Sequence, residues 1–473
     1  MNKLWNNYFI FLLILVLILI KVSWLNLPFY WDEAWSYAMA IFDMANNGPS
    51  IIPGNTDDCF TRGHPLFFYF IASSWLVLFG KTVLSAHLFA LLVSCSSLFI
   101  IHFCCRKFVS IKVANIVALS LMAQIMFIAQ STLLLPEVFL MGLSFLVFYL
   151  YLQKKWWYFI GVSFCLILSK ETALVLFAVL FFDKIILQKL IYRSEYKYNI
   201  VFFKEIFFVV TPFLFFGIFL LIQKRNLGYF FFPSHIELMN LTFAEFVKKT
   251  AYISEWVFLR HSRWIWLCVA AVAIMFGIRK KIFSVKEIHL FILLGVFIWG
   301  YILFSGLNFF IPRYILTLLP FSFLLFTLFI IKCFPKYIGI LLLLVAILGN
   351  IFRGIWLSDG EMDTSRTFNQ TILAHKEAVN FCESQQWHDK TINTGFLMHY
   401  YLEFPQLGYL NNKEKSFSKF NNEAFPDVFI FYSIEQNSKI DEIRNNTNYE
   451  LVKQITKPNG CWVEIFEKKL PED

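Results

Sequence analysis

Hydrophobic positions along this chain fall into long unbroken runs rather than alternating stripes. Apolar stretches occupy residues 8–27, 83–104, 113–134, 138–153, 156–169, 172–190, 201–222, 264–278, 288–307, 314–331 and 337–357, each bounded by polar or basic residues. Runs of this kind predict membrane-spanning helices, so the pattern implies a polytopic α-helical membrane protein of about eleven spans. One further run, 66–79, has about 14 residues and suits an interfacial or re-entrant segment better than a span. With 66–79 left out of the threading, Arg106-Lys107, Lys154-Lys155, Lys184, Lys189, Arg193, Arg279-Lys280-Lys281, Lys332 and Lys336 all face the cytoplasm. Threading through it would turn nearly every one of them outward, and the positive-inside rule selects the first arrangement. Both the stretch after residue 27 and the C-terminus then lie outside the cytoplasm.

From residue 358 the pattern changes to that of a soluble domain. The chain therefore divides into a transmembrane part, 1–357, and a small extracytoplasmic α/β domain, 358–473. Within the latter a helix is expected over 369–385 and strands over Lys390–Tyr401 and Asp427–Tyr432. Glu450–Lys457 and Cys461–Glu467 should pair as a hairpin around Pro458-Asn459-Gly460.

Composition changes the picture in two ways. The 473 residues are 58% hydrophobic and only 15% charged, which removes the ordinary soluble classes. The net charge of +9 does not argue for nucleic acid, because basic residues in a membrane protein report orientation first. Nine cysteines form no CxxC pair and no zinc-like spacing, although Cys382 and Cys461 could meet in the C-terminal domain.

Against so little charge, Phe29-Tyr30-Trp31-Asp32-Glu33-Ala34-Trp35-Ser36-Tyr37 stands out, followed by Thr61-Arg62-Gly63-His64-Pro65-Leu66. Wound as a helix, Trp31, Ala34, Trp35, Ala38, Ile41, Phe42 and Ala45 share one face, and Asp32, Ser36, Ala40, Asp43 and Asn47 the other. Such a helix is expected to lie flat in the outer interface, with Asp32 and Asp43 at headgroup height. The alternative is that Asp32 and Glu33 only cap it. Other outer loops carry Pro136-Glu137, Ser169-Lys170-Glu171-Thr172, Gln223-Lys224-Arg225, Arg260-His261-Ser262-Arg263 and Pro312-Arg313-Tyr314. Basic residues on that face run against the orientation bias, and a phosphate anion is the simplest partner for them. Snorkelling from helix ends is the alternative. Leu241 to Leu259 is expected to form another interfacial helix, with Glu245, Lys248 and Lys249 on its solvated face.

In order, Trp31-Asp32-Glu33-Ala34, Gly63-His64-Pro65-Leu66, Pro136-Glu137, Ser169-Lys170-Glu171 and Pro312-Arg313-Tyr314 resemble the GT-C glycosyltransferases. Among them the order looks most like the protein O-mannosyltransferases and aminoarabinose lipid A transferases. The resemblance covers residues 1 to 357 and implies a GT-C-like transmembrane domain with interfacial helices in the first outer loop. It also implies transfer of a sugar from a polyprenyl-phosphate carrier to an acceptor on the extracytoplasmic face, with inversion. The catalytic carboxylate falls on Asp32, with Glu33 as its catalytic neighbour. His64-Pro65-Leu66 departs from the His-Pro-Pro frequent in the family, and Pro136-Glu137 stands where Pro-Asp is usual.

Chemically, Asp32 is positioned to accept the acceptor hydroxyl's proton. Fixed cations would stabilise the leaving phosphate, with Lys170, Arg313 and one of Arg62, Arg260 or Arg263 as candidates. Glu137, Glu171 and Tyr314 complete the candidate substrate-binding set. His64 would hold the phosphate, orient Asp32 or ligate a metal. Asp32, Glu33 and His64 offer an O/O/N set for a divalent ion such as Mn, Mg or Zn. The expected partners are a polyprenyl-phosphate sugar, membrane lipid and an acceptor whose identity the sequence leaves open. The class implies an inner or plasma membrane. The rival reading is a transporter or flippase of lipid-linked sugars, which would call for ionisable residues near the midplane and two similar halves.

Overall fold

The computed structural model describes residues 3–193, 198–237, 241–356, 360–412, 414–420, 425–435 and 438–469. Each of the eleven apolar runs is helical, from Lys3–Lys21 to Lys336–Trp356. Six of these helices are long and apolar enough to cross a membrane by length and composition: Val83–Phe108, Ile200–Leu227, Arg260–Lys280, Val285–Leu307, Pro312–Cys333 and Lys336–Gly354. Along Ile200–Leu227 the exposed residues Phe207, Leu214, Ile218 and Leu221 recur at helical spacing, the outward apolar stripe that a lipid solvent requires. The chain is a polytopic helical membrane protein with a small C-terminal sheet.

Two runs are broken, each where a polar side chain enters. Run 113–134 is Ile111–Met122 followed by Ile125–Gln130, with buried Gln124 at the break. Run 172–190 opens into a π-helical turn at Asp183–Leu187, and the Asp183 carboxylate accepts from Tyr151 (2.5 Å), Gln188 (2.7 Å) and His289 (2.5 Å). Phe67–Phe79 has 13 residues, about 20 Å of helix against a hydrocarbon core of about 30 Å. Trp156–Ile167 is no longer, at 12 residues, so length alone does not separate a span from a non-span here.

The stretch after the first helix departs from the expected flat interfacial helix. Glu33–Ala38 winds as a π-helix and continues as the α-helix Met39–Asn47. Ser36 and Ala40, assigned to the wet face, are buried: Ser36 donates to the Phe60 carbonyl (2.9 Å), and Phe67–Phe79 packs against Met39–Asn47. Most of this helix therefore belongs to the core, while Asp43 stays part-exposed and accepts from Asn47 (2.9 Å) and the Asp57 N–H (3.3 Å). The expected helix near 241–259 is present as Phe243–Phe258, capped by reciprocal Thr242 and Glu245 hydrogen bonds. It packs on Val285–Leu307 rather than lying free, with Phe258 5.7 Å from Trp299, and Lys249 donates to the Asn308 carbonyl.

In the C-terminal part, β1 (Ile392–Thr394), β2 (Val428–Tyr432), β3 (Tyr449–Thr456) and β4 (Trp462–Lys468) form one sheet in the order β1-β2-β4-β3. β1 runs parallel to β2, and the predicted hairpin is the antiparallel β3–β4 pair. The helix Phe368–Ser384 packs on the sheet, close to the predicted 369–385. The strand expected over Lys390–Tyr401 stops at Thr394, and Phe396–Glu403 is a helix. Leu397, Met398, Tyr401 and Leu402 are its buried positions, a helical spacing that outweighs the aromatic content. Cys382 and Cys461 are both buried and both free thiols. The boundary expected at 357/358 lies outside the described residues.

This part docks on the stretch that follows the first helix. Phe29 N–H donates to the Leu407 carbonyl (3.0 Å), the Tyr30 hydroxyl to the Glu361 carbonyl (2.6 Å), and Tyr30 stacks on Phe368 at 5.7 Å. Fully buried at this junction, His375 packs among the rings of Tyr30, Tyr401 and Tyr432, and neither ring nitrogen has a hydrogen-bond partner among the described residues. Burial pushes its imidazole down to about 3. Because that lies below the unfolded value of about 6.5, the unfolded chain binds one more proton between the two, and stability must rise with pH across that window. Melting temperatures of the full chain are expected to climb from pH 4.5 to 6.5 and, as far as this group is concerned, to level off above that. A His375→Leu variant should show a shallower slope over the same interval, and an unchanged slope would refute the assignment.

Candidate active site

The chain path delivers Asp32 through strain. Trp31 holds a left-handed backbone at φ 54°, uncommon for a bulky residue, and turns the extended Phe29-Tyr30 segment sharply into the π-helix. Asp32 occupies the N-cap position but makes no side-chain cap. Its carboxylate instead accepts from the Trp35 indole (Nε1 to Oδ1, 2.9 Å) and from Arg313 (Nη2 to Oδ2, 2.5 Å).

Arg313 is the hub. Pro312 begins the turn that follows helix Val285–Leu307, and Arg313, next in the chain, is buried. Besides Asp32, its Nη1 donates to Asp363 Oδ2 (2.7 Å), and its Nε lies 3.5 Å from Glu137 Oε1. Glu137, the first residue of its helix after Pro136, takes a hydrogen bond from Lys170 Nζ at 3.0 Å. Lys170 sits in an extended link ahead of the turn Glu171–Ala173, and its ammonium lies 3.9 Å over the Tyr314 ring. Three carboxylates thus share two cations in a nearly dry place. Burial pushes the Asp363 carboxyl above its ordinary range, offset in part by Arg313 and reinforced by the Asp32 charge.

A second group borders the first. His64 Nδ1 is 3.0 Å from Glu171 Oε2. Burial alone would raise the Glu171 carboxyl, but the charge and hydrogen bond of His64, with Lys170 behind, hold it at about 2. The His64 ring faces that of His235 at 5.1 Å, and burial with the His64 charge brings His235 down to about 4. Arg62, also left-handed at φ 51°, lays its guanidinium 5.1 Å over Trp35 and 5.9 Å from the Phe232 ring. Among the described residues no carboxylate lies within ion-pair distance of Arg62; the one hydrogen bond its guanidinium makes there is a long one, 3.5 Å, to Ser234.

The structure therefore gathers Asp32, Glu137, Lys170, Arg313 and Tyr314 tightly, with Arg62, His64 and Glu171 alongside. Three expected members are elsewhere. Glu33, expected as a catalytic neighbour, is fully buried and turned inward, where it accepts from His87 Nε2 (3.1 Å), Leu134 N–H (2.6 Å) and Tyr30 N–H (3.2 Å). Adjacent residues on a helix diverge by about 100°, so one acid faces the site and the other the core. Arg263 is buried against the end of Phe243–Phe258, donating to the carbonyls of Val257 (3.0 Å) and Trp256 and to Gln124 (2.8 Å). Arg260 is paired with Glu255 at 2.7 Å and stacked near Trp256. The divalent set Asp32, Glu33 and His64 is not assembled. Among the described residues the one trio whose His, Cys, Asp or Glu ligand atoms lie within 4.8 Å of one another is Asp57, Asp58 and Cys59. With Glu33 committed to His87 and Leu134, these side chains do not fit one ion.

Asp363 was not foreseen. It stands in a segment rich in ordinary acids, and nothing local separates it from its neighbours. Trp35 and His235 were likewise hidden, the first within an aromatic run and the second in a loop.

No family model matches the chain, and no curated protein is significantly similar to it in sequence. Solved structures are similar. The crystal structure of ArnT from Cupriavidus metallidurans in the apo state aligns with a TM-score of 0.55 at 11% identity, and that of the same protein bound to undecaprenyl phosphate with 0.59 at 12%. Each alignment covers 96% of this chain and 97% of the other. The chain has the fold of ArnT. That fold extends through the C-terminal sheet as well as the helices, so the ArnT-like architecture includes the part that supplies Asp363.

Proposed function

We propose that this protein is a membrane glycosyltransferase that moves a sugar from a polyprenyl-phosphate donor to an acceptor on the extracytoplasmic face. The observation that carries the reading is the convergence of Asp32, Glu137, Lys170 and Arg313, from four separate loops, on one partly open cluster. The ArnT structure bound to undecaprenyl phosphate supports the choice of lipid carrier. In the proposed reaction the acceptor hydroxyl oxygen bonds to the anomeric carbon as the carbon–oxygen bond to the phosphate breaks. The electron pair leaves with the phosphate, the hydroxyl proton passes to Asp32, and the configuration inverts. A metal enters no step.

Arg62 is the proposed phosphate anchor. Arg313 spends its donors on carboxylates, whereas Arg62 offers a stacked, oriented fork with no acid in reach among the described residues. Arg62→Ala is expected to raise the donor KM by about 10- to 100-fold with a smaller change in kcat, the signature of lost binding. A kcat defect at unchanged KM would reassign it. The overall reading is tested by incubating the purified protein with labelled polyprenyl-phosphate sugars and membrane extract. A labelled product identifies the acceptor, and absence of transfer from every such donor would overturn the proposal.

A further inference from the structure

We infer that Asp363, carried by the segment that leads into the C-terminal domain, is a positioning residue that keeps Arg313 from closing on Asp32 as a two-pronged clamp. The inference rests on the transferase reading for its catalytic consequence but not for its geometry. Arg313 has two terminal nitrogens, and they are divided between two acids: Nη2 to Asp32 at 2.5 Å and Nη1 to Asp363 at 2.7 Å. Asp363 and Arg313 are both buried, whereas the Asp32 side chain keeps 21% of its surface exposed. The guanidinium is therefore held from the inside by Asp363 and touches Asp32 with one prong only. Asp32 Oδ1, which accepts from the Trp35 indole, is left clear of arginine.

Without Asp363, Nη1 would lose its partner in a buried place, a costly state that a planar fork relieves by pairing with both oxygens of the nearest carboxylate. Glu137 Oε2 has no hydrogen-bond partner among the described residues, but this carboxylate meets the guanidinium at the opposite edge, where its Oε1 receives Lys170 and stands 3.5 Å from Nε, so it does not face Nη1. Asp32 is the remaining acid on the hub, and a bidentate arginine would cover the oxygen needed for the acceptor proton. Asp363 is itself fixed: its carbonyl accepts from Gln130 Nε2 at 2.9 Å, and two residues earlier Glu361 is tied to Tyr30 and, at 2.5 Å, to Ser433. The docking of the C-terminal part thus sets the hand that holds Arg313, which gives that domain a place in the active site.

The test compares Asp363→Ala with Asp363→Asn in the full-length protein. The asparagine keeps an oxygen acceptor for Nη1 and the alanine does not. Two readouts are taken: steady-state transfer, and carbodiimide-dependent coupling of glycinamide to Asp32 at one fixed pH, located by peptide mass spectrometry. The expected result for alanine is a kcat lower by about 30-fold with donor KM within about threefold, together with several-fold less labelling of Asp32. The asparagine variant should stay close to wild type in both. Equal labelling in alanine and wild type, or equal impairment of the two variants, overturns the inference. If the wild type transfers from no polyprenyl-phosphate sugar, the transferase reading falls while the labelling comparison still decides the role of Asp363.

Discussion

Asp32→Asn is expected to lower kcat for transfer by about 10³-fold, within the range that a positioned general base contributes. The substitution keeps the shape of the side chain, and its amide oxygen still accepts from Arg313, which now donates to Oδ2 at 2.5 Å. It removes the charge and the basicity. Since three carboxylates share two cations in the hub, losing one negative charge leaves no cation stranded, but the amide nitrogen cannot accept from the Trp35 indole, so stability should fall by about 1–2 kcal/mol. The measurement is initial rate at equal folded protein, with a melting curve beside it. Unchanged rates would mean that Asp32 serves Arg313 rather than the acceptor, and the base would have to be sought elsewhere.

Arg313→Met acts on the other side of the same balance, and its effect on stability should be the larger. Removing the guanidinium leaves Asp32, Glu137 and Asp363 with Lys170 as the remaining hub cation, and breaking a buried ion pair from one side costs about 3–5 kcal/mol. Transfer should be lost as well. Arg313→Lys is not a rescue, because a single ammonium cannot replace a fork whose three edges face three acids. Adding Asp363→Asn to Arg313→Met removes one uncompensated carboxylate, so the double variant should melt above the single one. A single variant that melts like wild type would show that the hub is not the anchor described here.

Much of the architecture was legible because its causes are local. Apolar helices follow from runs of apolar residues, and the β3–β4 hairpin follows from the turn at Pro458-Asn459-Gly460. The site was legible only in its membership, and only in part. Arg260 and Arg263 carried the same signal as Arg313, a basic residue in an outer loop, yet one pairs with Glu255 and the other closes a helix end. The flat interfacial helix failed for a related reason: an amphipathic wheel shows which face is more apolar, not whether another helix covers the polar one. Here part of the polar face, Ser36 and Ala40, is covered, while Asp43 stays part-exposed.

By itself, then, the sequence determined the helical class, the apolar helical segments and the loops in which charge collects, since hydropathy and proline act over a few residues. Only the tertiary structure decided that Asp32 faces the site while Glu33 faces His87, a matter of one rotation along a helix. Only it brought Arg313 to Asp32 across 281 positions and added Asp363, an acid without any local mark. The choice of partner for a buried charge is made by which chains meet in space, and no short-range pattern records it.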